Sequence, residues 1–145
     1  MKLNSVRITA MLLALTACAT PSQPGGAGGP ATAIQVQTNR QFEIVIGQEA
    51  RVEGTAIVLR FGGVANDSRC PSDVQCVWAG NAVVGLSLRQ GEGPATDAAL
   101  NTTLDPKITK FGGYTVKLVD LKPVPNTGKA ISGGEYVATL EVNPG

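Results

Sequence analysis

Apolar residues alternate with polar residues in short runs through residues 41–145, and glycine or proline interrupts the alternation at intervals. Successive side chains of a β-strand point to opposite faces, so a period of two predicts strands that bury one face. The apolar positions of these runs are Phe42, Ile44 and Ile46; Ile57, Leu59 and Phe61; Val84, Leu86 and Leu88; Leu100, Thr102 and Leu104; Tyr114, Val116 and Leu118; and Tyr136, Ala138, Leu140 and Val142. Turn residues that predict strand ends are Gly47, Gly62-Gly63, Gly91 and Pro123. Residues 50–52 and 76–79 are candidates for further short strands.

A chain of 145 residues has room for one hydrophobic core. About six to eight short strands, with no segment of helical period, predict an all-β domain at residues 41–145. We expect an antiparallel sandwich of the immunoglobulin-like kind, with an open barrel as the alternative. The cysteine and tryptophan spacing of antibody domains is absent, because Cys70, Cys76 and Trp78 lie too close in sequence to bridge two sheets.

The chain contains no histidine, which removes the usual general base, the commonest zinc ligand and every nucleophile pair that depends on imidazole. An enzyme would have to use Lys or Tyr side chains or carboxylates such as Asp67, Asp73, Glu92 and Asp120, and no motif pairs these with a nucleophile. The formal net charge of +1 provides no basic surface for nucleic acid. We therefore expect no catalytic residues, cofactor, metal or nucleic-acid partner.

The first residues carry the features of a targeting signal. Lys2 and Arg7 supply positive charge, and residues 8–15 form an apolar stretch too short to span a bilayer as a helix. The segment predicts a signal peptide at residues 1–17.

The run Leu15-Thr16-Ala17-Cys18 resembles the lipobox of bacterial lipoprotein signals, in which the cysteine is acylated and becomes the first residue of the mature chain. The number of cysteines agrees with this, because Cys70 and Cys76 can pair and leave Cys18 as an odd thiol unless it is lipidated. The resemblance implies a lipid such as palmitate on Cys18, which would anchor the protein to a membrane of the cell envelope. Ala19, which is not acidic, favours the outer membrane where the cell has two.

Residues 18–40 are rich in glycine and proline and cannot bury enough apolar surface to order themselves. We expect this segment to be a flexible tether with a root-mean-square span of roughly 25 Å. Such a tether would keep the domain near the membrane.

The densest cluster of distinctive residues lies at positions 67–82. Cys70 and Cys76 are spaced to close a small loop, and Pro71 and Asp73 favour a turn inside it. We expect a structural disulfide between the two cysteines. The alternatives are a redox-active pair and a thiolate metal site, but the segment lacks the two-residue spacing of the first and the further Cys or His ligands of the second.

The same segment supplies the candidate binding loop, which consists of Asp67, Arg69, Asp73 and Trp78. We expect Trp78 to pack in the core over the disulfide, with an exposed anchor for a partner as the alternative. Asp67 and Asp73, with Asn66 nearby, could offer oxygens to calcium, yet they follow no recognisable ligand spacing and are expected to be solvated. Arg69 is expected to form a surface ion pair with Asp67.

The order arginine, cysteine, proline, four residues, cysteine, one residue, tryptophan, alanine, glycine begins at Arg69 and precedes an apolar strand. This loop resembles a recurring feature of small, uncharacterised β-rich envelope lipoproteins of bacteria. The likeness extends over the strand pattern from Phe42 to Val142. It implies a fold and a location, and it brings no activity or ligand with it.

These features lead us to expect a non-catalytic envelope lipoprotein that acts as a binding module for a protein, a peptide or a surface polymer. The binding surface would lie on loops at one end of the sandwich, where an ordered loop loses less entropy on binding. A structural envelope protein or a protease inhibitor is the alternative, and a carboxylate-based enzyme is less favoured.

Overall fold

A computed structural model describes residues 33–145 of the chain. The predicted signal peptide, Cys18 and most of the predicted tether lie outside the described residues. The strands in chain order are β1 (Ile34–Val36), β2 (Gln41–Val45), β3 (Glu49–Val52), β4 (Ile57–Ala65), β5 (Val83–Gln90), β6 (Thr96–Asn101), β7 (Ile108–Phe111), β8 (Tyr114–Lys122) and β9 (Val137–Pro144). A 3-10 turn at Gly133–Glu135 is the only helical element in residues 33–145. Within that range, no helix is long and apolar enough to cross a membrane.

The strands form a five-stranded sheet in the order β1-β3-β4-β5-β6 and a four-stranded sheet in the order β2-β9-β8-β7. No strand pairing joins the two sheets in the described part of the chain, so the domain is a β-sandwich and the barrel alternative is wrong. Neighbouring strands are antiparallel except β1, which runs parallel to β3 with Ile34 opposite Ala50. The prediction of an all-β sandwich is confirmed, and the expectation of antiparallel pairing fails at β1.

The apolar positions of the alternating runs fill the space between the sheets. In β5 and β9 every second residue is buried, at Val84, Leu86 and Leu88 and again at Ala138, Leu140 and Val142. Both sheets contribute to one continuous cluster, in which Phe61 of β4 and Leu140 of β9 have no exposed surface. Because each fully buried Leu, Ile, Val or Phe contributes about 1.5–3 kcal/mol, this cluster accounts for the stability of a domain with few aromatic residues.

The domain begins before the predicted boundary at residue 41. Ile34 and Val36 alternate with Gln35, and the backbone of this segment pairs with β3, so β1 belongs to the five-stranded sheet and not to the tether. The run is too short to stand out as a strand in the sequence, and it is stabilised by pairing with a strand that lies further along the chain.

Other strand limits also differ from the prediction. β4 continues through Gly62-Gly63 to Ala65, because a bulge between Phe61 and Gly63 shifts the register without ending the strand. β6 ends at Asn101, which leaves Thr102 and Leu104 in a loop. β7 is an additional strand, and residues 76–79 form none. Residues 33–145 therefore form nine strands, one more than the upper end of the six to eight that we expected.

The two ends of the sandwich have connections of different length. The turn end has tight reversals at residues 37–40, 53–56, 91–95 and 112–113. The loop end has three longer loops, residues 66–82, 102–107 and 123–136, beside a short turn at residues 46–48. Strand register places Ala65, Val83 and Asn101 side by side at the loop end, and loop 66–82 bonds to the last residues of β8. The predicted binding loop therefore lies among the longest connections of the domain.

Candidate functional site

Loop 66–82 begins and ends in a short ladder of backbone hydrogen bonds. The Ser68 amide donates to the Asn81 carbonyl over 2.8 Å, and the Cys70 amide donates to the Ala79 carbonyl over 2.9 Å. Gly80 sits in this ladder with φ at +68°, where a Cβ atom would lie 1.8 Å from the Ser68 carbonyl oxygen. Only glycine fits this position, because the backbone is left-handed and the backbone of Ser68 and Arg69 leaves no room for a side chain.

The predicted disulfide between Cys70 and Cys76 is confirmed. It closes the far part of loop 66–82, with the two Cα atoms 5.9 Å apart. The bond restricts the segment that lies just before Trp78, so the position of this residue is tied to the rest of the loop.

Asp67 and Arg69 form a bidentate ion pair that is much less exposed than we expected. Each side chain keeps only 12% of its surface exposed, and the Asp67 oxygens accept from Arg69 Nε over 2.9 Å and from Arg69 Nη2 over 2.7 Å. Arg69 also donates to the carbonyls of Leu121 over 2.5 Å and Pro123 over 3.0 Å. The predicted ion pair between Arg69 and Asp67 is confirmed, but the expectation that it lies on the surface is wrong, because Arg69 reaches across to the end of β8 and is largely covered there.

Tyr136 completes this cluster. Its hydroxyl donates to Asp67 Oδ2 over 2.9 Å, and its side chain belongs to the core. The hydrogen bonds from Arg69 lower the pKa of Asp67 below its usual value, against an opposing effect of burial. Burial, and then the hydrogen bond to Asp67, raises the pKa of Tyr136. The cluster is thus a charged network that joins loop 66–82 to the end of β8 and to Tyr136, the residue just before β9.

Asp73 and Ser72 attach the tip of loop 66–82 to loop 123–136. Asp73 accepts hydrogen bonds from the Thr127 amide over 3.0 Å and from the Thr127 hydroxyl. The Ser72 amide donates to the Pro125 carbonyl over 2.9 Å. The hydrogen bonds from Thr127 lower the pKa of Asp73. Asp73 is exposed, as expected of a loop charge, but it also holds two loops together.

Trp78 lies on the surface, with 83% of its area exposed, and the preceding Val77 is 92% exposed. The expectation that Trp78 packs in the core over the disulfide is therefore wrong, and the alternative of an exposed position is correct. The hydrogen bond between Cys70 and Ala79 and the disulfide at Cys76 fix the backbone on both sides of Trp78. An exposed aromatic side chain on a fixed loop fits the anchor residues that dominate many binding surfaces.

Asn81 holds loop 102–107 beside Trp78. Its Nδ2 donates to Asn101 Oδ1 over 2.7 Å, and its Oδ1 accepts from the amides of Thr103 over 3.0 Å and Leu104 over 3.4 Å. Leu104 is 60% exposed as a result. The sequence offered no sign of this contact, since Leu104 matched the period of a strand and Asn81 looked like an ordinary loop residue.

An open groove of about 410 Å³ lies between the two loops. Its walls are mainly apolar, with Trp78 and Leu104 as the large side chains. Another groove, of about 440 Å³, lies over β4, β5 and β6, where Gly62 and Gly85 leave space. We favour the first as the candidate site because it presents large apolar side chains, whereas glycine backbone and small residues form most of the second.

The carboxylates that an enzyme would need are spread over the domain. Asp67 is bound by Arg69 and Asp73 by Thr127, while Glu92 lies at the turn end beside Arg89. Within the described residues, no group of three or more His, Cys, Asp or Glu side chains is placed to hold a metal ion. The loop end presents an apolar surface on fixed loops, with Trp78 and Leu104 as large exposed side chains.

Comparison with known proteins finds no family model that matches the chain and no curated protein or solved structure with significant similarity to it. A proposal about function must therefore start from the contacts described above.

Proposed function

We propose that this protein is a non-catalytic envelope lipoprotein, anchored through a lipid on Cys18, whose loop end is a binding surface. The classes of partner that the sequence favours are a protein, a peptide and a surface polymer. In a cell with two membranes, the proposed location is the outer membrane.

The exposure of Trp78 is the observation that carries this proposal. Tryptophan loses more by contact with water than almost any other side chain, and exposed tryptophan on a fixed loop is typical of binding anchors. Leu104 lies across the same groove, and Asn81 holds it there. Because the disulfide and the Asp67–Arg69 pair order the loop in advance, little entropy remains to be lost when a partner binds.

The test is crosslinking and capture from intact cells, with the full-length protein compared with a Trp78→Ala variant. We expect a specific partner whose recovery falls by at least about tenfold in the variant, as for an anchor residue. Val119→Ala is the matched control, since Val119 is 38% exposed on β8 and not in the three loops. Melting curves for both variants must match the parent protein. Equal recovery with Trp78→Ala at matched stability would contradict the proposed surface.

A further inference from the structure

The exposed large apolar side chains of the described residues gather toward the loop end. In its three loops lie Val74, Val77, Trp78, Leu104 and Val124, with exposed fractions from 47% to 92%. Val45 and Ile108 lie where β2 and β7 adjoin that end, whereas Val119 lies within β8, outside the loops. The reversals of the turn end contain none of the large hydrophobic residues that are exposed in residues 33–145. Exposed apolar residues on a soluble domain are normally scattered, so this distribution indicates a contact surface.

The direction in which the chain enters β1 relates this surface to the predicted anchor. Ile34 lies opposite Ala50, and Ala50 lies opposite Leu59 of β4. From Ile34, β1 runs toward Ile57, which is the start of β4 and lies at the turn end. Residue 33 is therefore on the side of Ile34 that faces Ala65 and the loop end. From the level of Leu59 to Ala65 the distance along β4 is about 20 Å, and the chain from Cys18 to residue 33 can span at most about 50 Å. A lipid on Cys18 can reach the plane of the loop tips.

The charges of the loop end suit an electrically neutral surface. Asp67 is paired with Arg69, and Glu135 with Lys129 over 2.5 Å. Asp105 and Lys107 of loop 102–107 are of opposite sign, and Asp73 bonds to Thr127 and not to a cation. The three loops therefore carry four acidic and three basic side chains, a formal net charge of −1, which is too small to select a strongly charged partner.

The hydrogen-bonding groups of the groove are largely used within the protein. The side-chain amide of Asn81 bonds to Asn101, Thr103 and Leu104. The Ser68 hydroxyl donates to the backbone carbonyl of Asn81 over 3.0 Å. A sugar chain would need such groups to be free. Tryptophan at the level of lipid headgroups, with aliphatic side chains beside it, is a common arrangement where a protein meets a bilayer.

We propose that the loop end rests on a lipid bilayer, with Val77, Trp78, Leu104 and Val124 inserted at the level of the headgroups. This inference rests on the proposed lipid anchor and goes beyond the partner classes proposed above, because it assigns the bilayer that holds Cys18 as the surface that the loop end contacts. In this orientation the three loops of the loop end contact the membrane, and the turn end faces away from it.

Trp78 is the only tryptophan of the chain, so its fluorescence tests this placement directly. The full-length lipidated protein is reconstituted into phosphatidylcholine vesicles, with or without bromine on the acyl chains, and iodide is added to the water as a second quencher. The matched control is the double variant Trp78→Phe, Glu92→Trp, which moves the single tryptophan to the turn end, where the Glu92 side chain is 96% exposed.

We expect Trp78 emission to move to shorter wavelength on reconstitution, to be quenched by brominated lipid and to be shielded from iodide. The turn-end reporter should remain open to iodide and unaffected by bromine. Because the attraction is apolar, we expect these results to be the same at low and high salt.

If iodide still quenches Trp78 fluorescence in protein that is bound to vesicles, the inference is overturned. Equal quenching of both reporters by brominated lipid would also overturn it. Shielding from iodide without quenching by bromine would mean that a protein, such as a second copy, covers Trp78. That outcome would also overturn the bilayer contact, yet it would leave the proposed binding surface in place. Failure of the protein to float with the vesicles would overturn both the anchor and the inference.

Discussion

The turn end and the loop end of the sandwich both reverse the chain between neighbouring strands, yet they do so with very different amounts of polypeptide. At the turn end a few residues suffice, and residues 112–113 alone join β7 to β8. The loop end uses residues 66–82, 102–107 and 123–136 for the same purpose and fixes them with a disulfide, an ion pair and several side-chain hydrogen bonds. A loop that is longer than a chain reversal requires, and that is held in one conformation, is typical of loops that carry function on a rigid scaffold.

The two ends also differ in how they use an arginine. Arg69 at the loop end is enclosed with Asp67, and each side chain is 12% exposed. Arg89 near the turn end pairs with Glu49 over 3.3 Å, with exposed fractions of 23% and 31%. Removal of Arg69 leaves a poorly solvated carboxylate and two carbonyls without a donor, whereas water can replace Arg89 more easily.

Arg69→Ala is the change for which we expect the largest effect. The free energy of unfolding should fall by about 3 kcal/mol, because a largely covered carboxylate and two carbonyls lose the donor groups of Arg69. Arg89→Ala should reduce it by about 1 kcal/mol or less, as for a partly exposed pair. Urea unfolding of both variants under the same conditions measures the difference. Equal losses would show that the ion pair at the loop end holds the loops no more firmly than a surface pair.

Replacement of one glycine by alanine at each end compares how closely the backbone is packed at the loop end and at the turn end. Gly80 at the loop end and Gly54 at the turn end both have positive φ, at +68° and +72°, but only Gly80 has an atom in the way of a Cβ. We expect Gly80→Ala to lower the free energy of unfolding by about 3 kcal/mol, from left-handed strain together with the clash. Gly54→Ala should lower it by about 1 kcal/mol through strain alone. Thermal melting compares the two, and a smaller loss at Gly80 would contradict the tight ladder at the base of loop 66–82.

Removal of the disulfide tests how far the other contacts hold the loop. In the chain-entropy treatment, a ring of this size contributes roughly 2 kcal/mol, so Cys70→Ser, Cys76→Ser should be destabilised by about that amount. Hydrogen bonds from Ser72 to Pro125 and from Thr127 to Asp73 remain in the variant. We therefore expect the sandwich to stay folded, as judged by circular dichroism, with the same lower melting temperature when reductant is added to the parent protein. Unfolding at room temperature would show that these hydrogen bonds depend on the disulfide.

The sequence pattern predicts the buried strands better than it predicts the loop end. Val84 to Leu88 and Ala138 to Val142 alternate because one face of each strand must be buried, and a local rule captures that constraint. β1 and β7 are short strands at the edges of the sheets, and their pairing depends on strands elsewhere in the chain. The pattern alone therefore could not separate them from tether or turn.

At the candidate site, local rules fail for a specific reason. Arg69 is covered because its guanidinium meets carbonyls of Leu121 and Pro123, which lie more than fifty positions away along the chain, with separations of 52 and 54 residues. Trp78 is exposed on a loop whose conformation depends on contacts between separate parts of the chain, whereas its residue type alone favours burial. The disulfide and the pairing of Arg69 with Asp67 were predictable, because each joins residues that lie close together in the chain.

Acidic pH should weaken the loop end through Asp67. Its pKa is lowered in the folded protein, first by the hydrogen bonds from Arg69, so the unfolded chain binds the proton more readily. The contribution of Asp67 is therefore complete above the ordinary pKa of an aspartate, and it is lost as the pH falls from there through the lowered value. In Asp67→Asn this part of the acid dependence should be missing from unfolding curves recorded across that range. An unchanged pH dependence would mean that Asp67 does not titrate with folding.

Truncation of Trp78 should have the smallest effect on stability, and it separates binding from folding at the loop end. With 83% of its surface exposed, the side chain gives up little buried area when it is shortened, so Trp78→Ala should change the free energy of unfolding by no more than about 0.5 kcal/mol. Urea unfolding followed by circular dichroism measures this without the tryptophan signal. A loss of about 2 kcal/mol would mean that Trp78 supports the loop, and a structural role would then account for its position. Gly80, Asn81 and the disulfide fix the loop that carries this exposed apolar side chain. A negligible loss would show that the side chain contributes nothing to the fold and is available for contact with a partner.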